Sequence, residues 1–308
     1  NQWIALNRVN DPSGKPSEIL GQIKAEGTVY LLNRNGVIFG GGAQVDTHSL
    51  LASSLDLFSS DVAKSNAFFL KYGIGSAADP ENILDLGNSV DILTDSGDAG
   101  RPDAQRGAVE VEKGAIISAS KDGYALLSAP RIEQGGQIVA DSGQVILAAV
   151  QSLRLATNSS ANGLDVVAPF STQKVDGVIA NTGLIQARQG RIQWLGEDLE
   201  QDGALVSSTS LSHPGSIRFD VGSQQNFSSV LSLGPTSVTT VLPEKNGETT
   251  TSSPDADAAF VTSNVDFNMK TVLRPGALVE VPAGNVTFHR DAYVDSGATI
   301  DVSGLADV

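Results

Sequence analysis

An all-β fold, a β-solenoid of stacked coils, is predicted by three observations. The first is a glycine-led phrase: Gly114-Ala115-Ile116-Ile117, Gly136-Gln137-Ile138-Val139, Gly183-Leu184-Ile185-Gln186, Gly203-Ala204-Leu205-Val206, Gly276-Ala277-Leu278-Val279 and Gly297-Ala298-Thr299-Ile300. From Gly114 to Gly136, Gly183 to Gly203 and Gly276 to Gly297 the intervals are 22, 20 and 21 residues, the length of one coil. The second is the grammar within the repeat. Another glycine follows at Gly123, Gly143, Gly190 and Gly284 and opens a short alternating apolar run such as Val145, Leu147 and Ala149, so that one face turns inward. The third is composition: with aromatics at 5% and 32 glycines, the core has to be built from Val, Ile, Leu and Ala between frequent corners. A single coil cannot bury its apolar face; stacking the next one pairs its backbone and closes the core. The phrase places Ile138, Ile185 and Leu278 in one continuous interior.

Along the chain, residues 1–57 carry short strands around Trp3–Leu6, Ile19–Ile23, Thr28–Leu32, Val37–Phe39 and Ser49–Ala52, with turns at Asp11-Pro12-Ser13-Gly14 and Asn35-Gly36. Residues 58–106 break the rhythm as a first irregular insertion, with a short helix expected over Asp61–Leu70 and loops after it. Coils resume over 107–220. A second insertion, 221–270, includes the polar run Glu244–Pro254. Coils return over 271–308 and are expected to continue further, so the chain reads as a segment of a longer protein.

The formal charge of −15 and the lack of a basic stripe exclude nucleic acid as a partner. The absence of cysteine removes thiolate metal sites, thiol catalysis and disulfides. Candidate catalytic chemistry is sparse. The acidic residues Asp79, Glu81, Asp85, Asp91, Asp95, Asp98 and Asp103, and Asp255 with Asp257, fall in the insertions and read as solvated loops; Asp95-Ser96-Gly97-Asp98 lacks the alternating ligands of an EF-hand. His48, His213 and His289 are far apart in sequence, without metal-ligand companions. Trp3, Phe68, Phe69, Tyr72 and Trp194 are candidates for sugar stacking, against the plainer reading as core fillers. No catalytic residue, metal or cofactor is expected.

Ala5-Leu6-Asn7-Arg8-Val9, Ser17 through Gly27 and Val29 through Gly40 together resemble the haemagglutination-activity (secretion) domain of filamentous-haemagglutinin-type exoproteins of two-partner secretion, and the match continues through Ala43–Asp46 and Leu50–Asp56. Gly123–Pro130 and Gly297–Gly304 are similar to coils that follow this domain in large members. The resemblance implies a right-handed parallel β-helix, threaded unfolded across the outer membrane of a Gram-negative bacterium by a partner β-barrel transporter. It marks Leu6, Asn7, Arg8 and Val9, and the turn Asn33, Arg34, Asn35, Gly36 and Val37, as family motifs. The family usually has Asn-Pro-Asn-Gly-Ile at the turn; Arg34 replaces the proline and its locked φ, while Asn35-Gly36 keeps residues that tolerate positive φ.

The function expected is that of a non-enzymatic, rigid shaft of a secreted surface exoprotein, serving adhesion or filament building, with surface glycans or proteins, or further copies of itself, as partners. The rival readings are a carbohydrate-active β-helix enzyme and the shaft of a contact-dependent toxin.

Overall fold

The computed structural model describes residues 3–9, 11–57, 84–87, 107–158, 163–167, 177–210, 214–222, 228–244 and 263–304. Each full coil contributes a strand to three parallel faces. One coil runs Arg131–Gln134, Gln137–Asp141, Gln144–Ala149; the next runs Val178–Asn181, Leu184–Arg188, Arg191–Gly196. The first face stacks nine strands from Ser17–Ile19 to Ala292–Val294. The second and third faces join into one large sheet, because Gln22–Asn33 and Gln44–Ser53 run unbroken around the corner between them. Registers persist coil after coil: Ile117, Ile138, Ile185, Leu205, Thr239, Val279 and Ile300 form one inward column. The buried aliphatics of all three faces merge in a single core. The chain is a parallel β-helix.

The first-to-second corner is made in two ways. At Gly114, Gly276 and Gly297, four residues turn with φ of +97°, +95° and +94°, and Ala115, Ala277 and Ala298 donate back to the carbonyls of Glu112, Arg274 and Asp295. This is type II geometry, in which glycine supplies the positive φ and Pro275 holds the preceding position. At Gly136, Gly183 and Gly203 the corner is shorter, and a buried amide closes it. The Gln134 side chain binds the backbone N–H and carbonyl of Gly136 and reaches Leu184 O at 3.2 Å. Asn181 accepts from Gly183 N–H and donates to Gln201 Oε1 at 2.6 Å, and Gln201 donates to the carbonyls of Gly203 and Val238. The two corners displace the phrase by one residue. Ile138 and Ile185, two after their glycines, are core residues as expected; at Gly276 the longer turn carries Leu278 to the outer side and puts Val279 inward instead.

Within 107–220, which the glycine spacing reads as unbroken coils, the chain leaves the shaft between Val150 and Gly177. Ser152–Asn158 pairs antiparallel with Gly163–Val167 on one side and Leu84–Gly87 on the other, and Leu84–Gly87 in turn pairs with Asp56–Leu57. This four-stranded sheet lies on the outer side of the third face. Leu153, Leu155, Leu164 and Val166 from it form a second core with Tyr30, Leu51, Leu126 and Ile146 from the shaft. Tyr124–Ala129 and Gln144–Ala149 are consequently buried on both sides. The expected helix over 61–70 lies outside the described residues, and the insertion expected over 221–270 is corrected, because Val230–Leu233, Val238–Pro243 and Asn264–Phe267 within it are parallel strands of the shaft's three faces.

Candidate functional site

The residues marked in the sequence converge on one corner of the first coils. Ile4–Val9 pairs with Thr28–Asn33, setting Leu6 beside Tyr30, Asn7 beside Leu31, Arg8 beside Leu32 and Val9 beside Asn33. The tetrad therefore adjoins the turn. Leu6 packs against the second core, and Asn7 Nδ2 donates to Tyr30 O at 3.4 Å. Arg8 Nη2 meets Asp56 Oδ2 at 2.6 Å with the two side chains only 8% and 6% exposed, which fastens the first strand to the root of the added sheet. Val9 is exposed at the edge.

In the turn, Asn33 Oδ1 accepts from Asn35 N–H at 2.9 Å, Gly36 N–H donates to Asn33 O, and Asn33 Nδ2 donates to Ser17 Oγ at 2.9 Å. Asn35 Nδ2 donates to Asp11 O at 2.7 Å. Gly36 has φ +106°, and a Cβ there would lie 2.6 Å from Ala108 O; across from it, a Cβ on Gly107 would lie 2.1 Å from Gly36 N. Two glycines are thus required back to back for the next coil to seat. Arg34 is half-buried, and Val37 is in the core. Asp56 is the residue that sequence reasoning left without a role: its partner is far away in the chain, and only Arg8, a charge in a mostly apolar strand, hinted at a buried pair. Tyr30 and Tyr124 share a buried hydroxyl contact of 3.2 Å, and burial pushes both phenols up.

Beside the added sheet the third face opens into a groove of about 910 Å³. Its floor is a polar lattice. Arg191, Ser216 and Asn264 form one outward row, and Gln193, Arg218 and Asp266 the next. Asp220 accepts from Arg218 Nε at 2.7 Å, Gln193 Nε2 at 2.8 Å and Asn268 Nδ2 at 2.9 Å. Asp266 accepts from Asn264 Nδ2 and lies 3.8 Å from His289 Nε2. Burial lowers the Arg191 guanidinium, with Asp165 pulling it back up.

The other candidates disperse. His48 Nδ1 lies 3.2 Å from Ser120 Oγ, far from His289, and His213 is outside the described residues. The acidic residues of the insertions are also outside them, except Asp85, which sits in Leu84–Gly87. Among the described residues, no group of three His, Asp or Glu could hold a metal ion. Trp194 is a core residue that meets Phe219 edge-on, and Phe219, Phe267 and Phe288 stack face to face at 5.2 and 4.7 Å. Trp3 is half-exposed and rests over Gly27; Phe68, Phe69 and Tyr72 are not among the described residues.

Comparison with known proteins gives this geometry a family. The chain is 46% identical over 54 residues to a heme/hemopexin-binding protein of Haemophilus influenzae, and 44% identical over 54 residues to a second such protein of that species. Each match covers 18% of this chain and 6% of the relative, so the chain matches only a small part of these proteins. In structure it is similar to the HMW1 secretion domain from Haemophilus influenzae, with a TM-score of 0.60 at 16% identity over 94% of this chain and 71% of that one. The family model of the TPS secretion domain matches residues 1–198, and the chain therefore belongs to that family, the exoproteins of two-partner secretion.

Proposed function

We propose that this chain is the export and shaft segment of a large surface exoprotein, passed unfolded through an outer-membrane transporter of a Gram-negative bacterium and displayed as a rigid β-helical rod for adhesion or filament building. The observation that carries the reading is the state of the marked turn. Asn33 and Val37 are 2% and 0% exposed, so a transporter that reads them has to do so before the first coils close. Once Gly36 and Gly107 seat against one another, the turn is withdrawn, and each later coil adds to an edge that already carries its register. Surface glycans or proteins, and further copies of the rod, are the partners this shape suits. No residue is assigned a catalytic role; cleavage of polygalacturonate or alginate by the purified chain would favour the enzyme reading instead.

The test is co-expression with the partner transporter and measurement of the secreted fraction. Asn33→Ala and Asn35→Ala are expected to lower secretion while the purified variants still refold. Undiminished secretion of both would remove the turn from export.

A further inference from the structure

We infer that the groove on the third face is a binding site for an uncharged oligosaccharide. The inference rests on the reading of the shaft as a surface-binding rod and assigns the site. Its starting point is a change along one column of outward positions: Leu51, Leu126 and Ile146 are apolar and covered by the added sheet, and the next positions, Gln193, Arg218 and Asp266, are polar. A plain solvated face would need no fixed arrangement here, yet these side chains are ordered by one another. Asp220 holds Arg218, Gln193 and Asn268 at 2.7, 2.8 and 2.9 Å, so guanidinium and amide groups on three consecutive coils are fixed before any ligand arrives. Such pre-ordering lowers the entropy cost of binding.

Charge selects the ligand. Arg191, Arg218 and Arg290 are balanced in the lining by Asp165, Asp220 and Asp266, and the chain as a whole carries −15. Acidic polymers are repelled at long range and find no net positive floor. A partner strand finds no free backbone on the face of a sheet whose N–H and C=O groups are spent on the neighbouring coils. The lattice instead offers donors and acceptors side by side, repeated at the coil spacing of about 4.8 Å, and a chain of hydroxylated rings presents both kinds of group along its length. Binding of this kind exchanges water for hydroxyls and carries little ionic contribution.

The experiment is a glycan array probed with the purified chain, carrying neutral hexose and N-acetylhexosamine oligosaccharides beside uronic-acid and sialylated ones. The best neutral probe is then titrated calorimetrically at low and high salt. Binding to neutral oligosaccharides is expected, unchanged by salt and weakened about tenfold, roughly the loss of one or two hydrogen bonds, in Arg218→Ala and in Asn268→Ala. Thermal unfolding of each variant is followed in parallel, with Asn264→Ala as a replacement if either fails to fold. Absence of neutral binding, binding confined to acidic glycans, or affinity that survives these substitutions would overturn the site. Secretion of the same variants is measured separately, so a failed groove is distinguishable from a failed export reading.

Discussion

The third face is one sheet in two conditions. In the coils before Val150 its outward column reads Leu6, Tyr30, Leu51, Leu126, Ile146 under the cover of the added sheet; after Gly177 the same column reads Gln193, Arg218, Asp266, Thr287 and faces the groove. The inward column is apolar throughout, but it too changes, from Ala52, Leu127 and Leu147 to Trp194, Phe219, Phe267 and Phe288. Where the sheet loses apolar burial on its outside, larger side chains stack inside it. A parallel β-helix requires only its inward columns. The outward one therefore reports what else the coil does: hold a covering sheet in the early coils, line an open groove in the later ones.

Five measurements would break or sharpen this contrast. The largest effects belong to the features peculiar to each half. Arg8→Ala breaks the buried pair with Asp56 and is expected to cost about 3–5 kcal/mol by denaturant unfolding, with loss of amide-exchange protection in the covered coils. Phe219→Ala, in the other half, is expected to cost about 3–5 kcal/mol and to expose the later coils instead. If both variants open the same amides, the two regions are one cooperative unit. Leu126→Ala follows, at about 2–5 kcal/mol, because the covering sheet makes an outward position a core position; a negligible shift in midpoint would mean that the cover contributes nothing.

Acid should act on the later coils. There Glu244 accepts from Arg188 Nε at 2.7 Å, Gln189 Nε2 at 2.6 Å and Ser208 Oγ at 2.7 Å. The Arg188 hydrogen bond, aided by Ser208 and Gln189, holds its carboxyl down to about 2, below the ordinary 4.5. Its contribution is complete above the ordinary value and is lost as pH falls through about 2. Glu244→Gln should flatten the acid limb of the stability curve in that window; an unchanged limb would dismiss the clamp. The smallest effect is Arg218→Ala, expected within about 0.5 kcal/mol because its side chain is exposed on the uncovered face. A loss matching that of Leu126→Ala would show that the outward column bears load along its whole length.

Much of this was readable in the sequence. The coil period, the inward residues Ile138 and Ile185 and the Asn35-Gly36 turn follow from glycine placement and alternation, which are local. The covering sheet was not readable, because Leu84–Gly87 and Ser152–Asn158 are far apart in the chain and Ser152–Asn158 looks like any other short strand. A trace of it was present in Tyr124–Ala129, which lacks the polar alternation of Ser216–Val221 and so had to be buried twice. Leu278 went to the wrong side because both corner types begin with the same glycine phrase, and only the Pro275-Gly276-Ala277 turn, against the buried amides of Gln134, Asn181 and Gln201, tells them apart. At the site, Asn33 and Arg8 were identified, while Asp56 and the groove depend on pairings that only the assembled coils create.

The amide corners have a consequence for assembly from one end. A rod of near-identical rungs carries a translational degeneracy: an incoming coil displaced by one whole rung still meets aliphatic side chains and open backbone groups, and loses little. Gln134, Asn181 and Gln201 lift that degeneracy. A displacement by one rung sets these side chains against the wrong neighbours, Leu233 or Val111 among them, and parts Asn181 from Gln201, so that the buried 2.6 Å amide pair between them is lost. Three consecutive rungs thereby act as an alignment mark partway along the rod, where a misthreaded chain is penalised before the remaining coils can propagate the error.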